Sequence, residues 1–117
     1  MQDKPYDIQV CLKDIEQAIA EIYSFLPSPR IFQEFQNDLK TRKAVERNIE
    51  IIGEAMSRIL KINPNFPIEA SRKIVDTRNR IIHAYDSISE DVIWLIVINY
   101  LPELEKQIKS FLDSNKQ

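Results

Sequence analysis

One glycine, Gly53, serves a chain of 117 residues, alongside six prolines. Tight turns between short strands call for glycine, and an all-β sandwich or barrel needs many such turns, so that class is excluded. The glycine-rich phosphate loops of dinucleotide-binding and P-loop proteins, and a collagen repeat, fall on the same ground. The length suits a single domain, 1–117, and a 44% hydrophobic content is enough to bury a core. The expectation is an all-helical domain with short connections. The only cysteine, Cys11, excludes an intrachain disulfide framework and any multi-cysteine zinc or iron–sulfur site. Between Val10 and Leu12 it reads as a buried, inert thiol.

Nineteen isoleucines suggest strands by propensity, but their spacing is helical. Ile8, Cys11/Leu12, Ile15, Ala18/Ile19, Ile22 and Leu26 recur at three- and four-residue steps. Pro27-Ser28-Pro29 ends that helix, with Ser28 placed to cap the next turn and Pro29 at its first position. Phe32 and Phe35 open a second segment that continues through Leu39, Val45, Ile49, Ile52, Met56, Ile59 and Ile62, with a break expected at Asn37 or Thr41. Asn63-Pro64-Asn65-Phe66-Pro67 is a stop. A third helix is expected from about Ile68 to Tyr85, and a fourth after Asp86-Ser87-Ile88-Ser89, where Ser87 and Glu90 have the form of a capping box. Pro102 either kinks this last helix or splits it into 90–100 and 102–112. Four to five helices with short loops predict an antiparallel helical bundle.

The net charge of −2 is no signature of a chain-wide nucleic-acid binder. Between Arg72 and His83, however, Arg72, Lys73, Arg78 and Arg80 stand against Asp76 alone, a local +3 on a remainder of −5. A patch of that size suits a local anionic ligand better than a long polyanion such as DNA; the competing reading is a solvated helix face. Met1 to Pro5 lacks the apolar core of a signal peptide. The longest apolar run, Val92 to Ile98, is far short of the roughly 20 residues of a membrane span. A cytoplasmic location without a membrane partner is expected.

Two segments break the simple amphipathic pattern. Val92 to Ile98 is apolar all round, so it is either a central bundle helix or is covered by a second copy of the chain. In the third helix, Ile74, Tyr85, Ile81, Ile82 and Val75 form one stripe at about 100° per residue, and Arg78 falls in its middle. A guanidinium cannot shed its proton, so Arg78 must point into a polar seam between helices or between subunits. His83, the only histidine, falls on the far side near Asn79, about 140° from Arg78. The two meet at one ligand only if the helix frays near His83 or if two chains build the site.

The run Arg78-Asn79-Arg80-Ile81-Ile82-His83-Ala84-Tyr85 reads R-x4-H-x-Y. With Ile51-Ile52-Gly53-Glu54-Ala55 before it, and Ser89 to Asp91, Val92-Ile93-Trp94 and Leu101-Pro102-Glu103-Leu104 after it, the chain resembles the HEPN superfamily and its HepT-like toxin branch over nearly its whole length. It departs from that pattern where Pro-Trp and Gly-Met often precede the arginine; here Phe66-Pro67-Ile68 and Asp76-Thr77 stand.

The resemblance implies a metal-independent endoribonuclease, needing no cofactor, in which the RNA 2′-hydroxyl attacks the adjacent phosphorus. Residue types fit that chemistry. The His83 imidazole titrates near neutrality and can move a proton, and the Arg78 fork can stabilise charge on phosphoryl oxygens. Asn79 and Arg80 are placed to orient or bind phosphate. One imidazole cannot readily serve as base and acid on opposite sides of one phosphate, so an obligate homodimer with a composite site is expected. By resemblance, Tyr85 is the residue that an MntA-like nucleotidyltransferase antitoxin modifies with AMP, placing an anion beside Arg78. The alternatives are a non-catalytic HEPN scaffold that binds a nucleotidyltransferase or a nucleotide, or a bundle in which Arg78 and His83 merely hold the dimer together. No His, Cys or Glu spacing matches a metal site. Glu54 faces either the cleft or solvent.

Overall fold

The structure, a computed structural model, describes residues 7–68, 71–83 and 90–114, without the side chains at 71 and 80–83. All regular elements among these residues are helical: α1 (Ile8–Phe25), α2 (Phe32–Gln36), α3 (Leu39–Ile62), α4 (Ser71–His83), α5 (Glu90–Leu95), a π-helical turn (Ile96–Tyr100) and α6 (Leu101–Ser114). The expected all-α bundle is the observed one.

The long helix α3 packs against α1 and against α4, and α6 lies on α1. Each contributes one apolar stripe. From α1 come Cys11, Leu12, Ile15, Ala18, Ile19 and Ile22. From α3 come Val45, Ile49, Ile52, Ala55, Met56 and Ile59, and from α6 Leu101, Leu104, Ile108 and Leu112. Burial of each such isoleucine or leucine is worth about 1.5–3 kcal/mol. Cys11 lies wholly within this core, and burial pushes its thiol pKa up, as an inert thiol requires.

Local chemistry sets the boundaries. Asp7 accepts a hydrogen bond from the Val10 N–H at 2.9 Å and starts α1. The Ser28 cap does not form: α2 opens at Phe32, three residues after Pro29, with Ile31 in the cap position. Arg30 instead folds back over the Tyr23 ring, 4.6 Å from its centroid. The break in the second segment falls at Asn37. Asp38 then caps α3, accepting from the Thr41 N–H at 3.1 Å and the Thr41 hydroxyl at 2.7 Å. Asn63 ends α3, and its side chain accepts from the Asn65 N–H at 3.1 Å in a local turn. Phe66 packs on Phe111 of α6, centroids 4.8 Å apart, and Ile68 is buried in the connection. Ile68, expected near the start of the third helix, is instead an apolar anchor of the connection and lies outside α4, described over Ser71–His83.

Pro102 does not split the last helix into 90–100 and 102–112, because α6 runs from Leu101 through it. The preceding five residues widen into a π-helical turn, closed by the Leu101 N–H donating to the Ile96 carbonyl. A widened turn accommodates a ring that would otherwise crowd the carbonyl four residues back. The Ser87–Glu90 capping box and Tyr85 lie outside the described residues. No helix is long and apolar enough to cross a membrane among the described residues.

Candidate active site

Two helices joined by a short connection run antiparallel, and the α3–α4 hairpin has a definite register. Gly53 of α3 lies against Ile74 and Arg78 of α4. An ideal Cβ at position 53 would overlap the Arg78 Cβ outright and lie 2.8 Å from its Cγ and 3.2 Å from the Ile74 carbonyl oxygen. The only glycine of the chain therefore serves helix contact and not a turn: its missing side chain is the space in which the Arg78 stem lies.

With its stem fixed there, the Arg78 guanidinium emerges into the polar seam between α3 and α4. Its Nη2 donates to Glu54 Oε1, and its Nη1 donates to Asn79 Oδ1 at 2.9 Å. Its Nε is buried with no hydrogen-bond partner among the described residues. Glu54 holds a second cation, Arg58, at 3.2 Å, one turn further along α3. Glu54 thus faces the seam, the question its sequence left open. The guanidinium side chain is 25% exposed and the Glu54 side chain 39%, which leaves this cluster accessible to solutes.

The cluster lines a groove of about 310 Å³ bounded by α3, α4 and Asp14 of α1. Arg47, Arg58 and Arg78 line it together with Asp14, Glu50 and Glu54, and Arg47 pairs with Glu50 at 3.2 Å along α3. The groove is balanced in charge; of the basic run Arg72, Lys73, Arg78 and Arg80, it is Arg78 that lines it among the described residues. The balancing carboxylates come from α1 and α3, remote from residues 72–83 in the chain.

Of the residues singled out in the sequence, Arg78 and Asn79 are brought together, and the Asn79 amide oxygen orients the guanidinium. α4 stays helical through His83. Position 83 therefore sits about 140° around the axis from position 78 and about 7.5 Å further along it. The side chains of Arg80 and His83, and all of Tyr85, lie outside the described residues. Groove residues that the sequence reading missed are Arg47, Arg58, Glu50 and Asp14; the available signal was the Glu54/Arg58 spacing of four on one helix. No group of three or more His, Cys, Asp or Glu side chains suited to a metal ion occurs among the described residues.

A second feature lies on α5 and the π-helical turn. Trp94 of α5 packs on Phe32 and Phe35 of α2, with centroids 5.9 and 5.0 Å apart. Beside it Leu95 and Ile98 are 43% and 40% exposed. The run that is apolar all round is thus buried through Ile93, Ile96 and Val97 and open on its remaining side.

Comparison with known proteins agrees with this architecture. Residues 15–111 match the family model described as ribonuclease HepT-like. A Methanocaldococcus jannaschii protein named as a candidate RNase is 35% identical over 107 residues, 91% of this chain and 88% of its own. A Caldanaerobacter subterraneus protein named in the same way is 33% identical over 73% of this chain and 77% of its own. A Thermococcus cleftensis protein named probable ribonuclease HepT is 36% identical over 80% of this chain and 86% of its own. No solved structure matches the chain. With a family model spanning most of its length and relatives of this similarity along most of theirs, the chain belongs to the HepT-like ribonuclease family of the HEPN superfamily.

Proposed function

We propose that this protein is a metal-independent endoribonuclease toxin that cuts RNA at a site composed from two protomers, with Arg78 and His83 as its catalytic residues. The observation that carries the reading is the Arg78 guanidinium, held on its Gly53 seat and aimed into an accessible groove, in a chain of a ribonuclease family. In the reaction the 2′-hydroxyl loses its proton to a base, its oxygen bonds to phosphorus, and the 5′-oxygen leaves with a proton from an acid. The products carry a 2′,3′-cyclic phosphate and a 5′-hydroxyl. Arg78 stabilises the charge that develops on the phosphoryl oxygens. His83 of one protomer serves as base and His83 of the other as acid. Asn79 sets the guanidinium, and Arg80 adds a backbone phosphate contact.

The two-protomer arrangement is supported by the helix itself. With α4 regular through His83, positions 78 and 83 face apart in one chain. A two-fold axis offers each cleft a second α4. The exposed Leu95 and Ile98 beside Trp94 give the homodimer an apolar surface to bury. Neutralisation would come from a partner nucleotidyltransferase that adds AMP to Tyr85, a bulky anion that competes with an RNA phosphate.

A non-catalytic scaffold that binds a nucleotidyltransferase or a nucleotide is favoured by one observation, the internal neutralisation of Arg78 by Glu54. Digestion of single-stranded RNA in the presence of a chelator separates the two. The endoribonuclease yields cyclic-phosphate ends, and His83→Ala abolishes them while the dimer persists. Absence of cleavage by the native dimer refutes the enzymatic reading.

A further inference from the structure

Building on the ribonuclease reading, we propose that Glu54 is an internal counter-ion: in the free protein its carboxylate occupies the guanidinium edge of Arg78 that an RNA backbone phosphate takes on binding. Carboxylate and phosphate oxygens offer a guanidinium the same planar pair of acceptors, so the two compete for the same N–H donors. Glu54 bridges two cations, Arg78 through Oε1 and Arg58 through Oε2 at 3.2 Å. It keeps Arg58 as a partner on its own helix when a phosphate takes Arg78. The exchange therefore leaves no carboxylate stranded.

Arg78 does not depend on Glu54 for its aim. Its stem lies over Gly53, and Asn79 Oδ1 holds Nη1 at 2.9 Å. The carboxylate chiefly sets how strongly the site attracts anions. Glu50 lines the same groove but pairs with Arg47, so an equal charge stands nearby without contact to Arg78. A lone anion must displace Glu54 by itself. An RNA strand brings further backbone contacts, and the counter-ion thereby discriminates against free phosphate in favour of polynucleotide.

The test measures binding, apart from cleavage, with inorganic phosphate and with a 2′-O-methyl RNA oligonucleotide that lacks the attacking hydroxyl. Glu54→Gln keeps size and hydrogen-bonding capacity and removes the charge. It is expected to bind both probes roughly three- to tenfold more tightly. Glu54→Ala gives the same direction should the amide variant fail to fold. Glu50→Gln gives a smaller gain.

Unchanged or weaker binding in the Glu54 variants, or an equal gain in Glu50→Gln, overturns the inference. Cleavage of unmodified RNA by the native chain is scored separately. Cleavage without a Glu54 effect on binding refutes the counter-ion alone, and a Glu54 effect without cleavage refutes the ribonuclease reading alone.

Discussion

Gly53→Ala pits two effects of opposite sign against each other. At an unconstrained position inside a helix the change is stabilising by about 1 kcal/mol, because alanine loses less backbone entropy and has the higher helix propensity. At position 53 the new methyl meets the Arg78 Cβ, an atom fixed to the α4 backbone, with Cγ at 2.8 Å and the Ile74 carbonyl oxygen at 3.2 Å. No rotamer of Arg78 relieves an overlap with its own Cβ. α4 must instead move off α3 by on the order of 1.5 Å to recover a normal carbon–carbon contact. Ile74, which is 1% exposed, moves with it. Overpacking of this kind costs about 3 kcal/mol at its upper end, so the net change is a destabilisation of about 2 kcal/mol. That corresponds to roughly 8 °C in melting temperature for a domain of this length. The assay is thermal unfolding by circular dichroism at one fixed protein concentration, since an assembly ties stability to concentration. RNA cleavage is then compared at a temperature where both proteins are folded, and it falls because the guanidinium has left its seat. A Gly53→Ala protein that melts higher than the native chain, as at an open helical position, would refute the close α3–α4 contact and the placement of Arg78 that depends on it.

Three further outcomes follow from the same geometry. Arg78→Lys replaces a planar fork with a point charge, so cleavage drops roughly 10²- to 10³-fold while the melting curve stays close to native; equal activity would remove the fork from the mechanism. Glutamate at both Leu95 and Ile98, exposed at 43% and 40%, should convert the proposed dimer into monomers in light scattering, and an unchanged dimer would move the interface away from α5. The Thr41 hydroxyl, followed by its backbone N–H, holds the Asp38 carboxyl below its ordinary pKa. Its contribution at the start of α3 is complete above the unfolded-state pKa and is lost as pH falls through the lower folded value; Asp38→Asn therefore flattens the acid limb of stability against pH, and an unaltered limb would show that the cap is not formed in solution.

The helices were legible because their cores are periodic. The three- and four-residue steps of α1 and α3 locate both to within a residue or two, and Gln36 and Leu39 bracket one of the two break points the pattern offered. What failed was chemistry that depends on neighbours distant in the chain. Ser28 has the right residue type for a cap, but α2 opens only at Phe32, with Ile31 in the cap position and Arg30 over the Tyr23 ring. Pro102 offered a kink or a split; the split does not occur, and no local propensity announces the π-helical turn that precedes α6. Arg78 was legible as an anomaly, a cation on an apolar stripe that demanded a seam. Its seat was not, because only the packed hairpin shows that Gly53 lies beneath its stem. The charge around Arg78 was not legible from residues 72–83 alone, since Asp14, Glu50 and Glu54 reach its groove from two other helices.

The joint requirement for two protomers is tested most directly by a purified heterodimer of one native and one His83→Ala chain, isolated through two different affinity tags. If both imidazoles serve one phosphate, this heterodimer cleaves RNA at least about a hundredfold more slowly than the native dimer. A heterodimer that retains about half of the native rate would contradict the account, because each protomer would then be working alone.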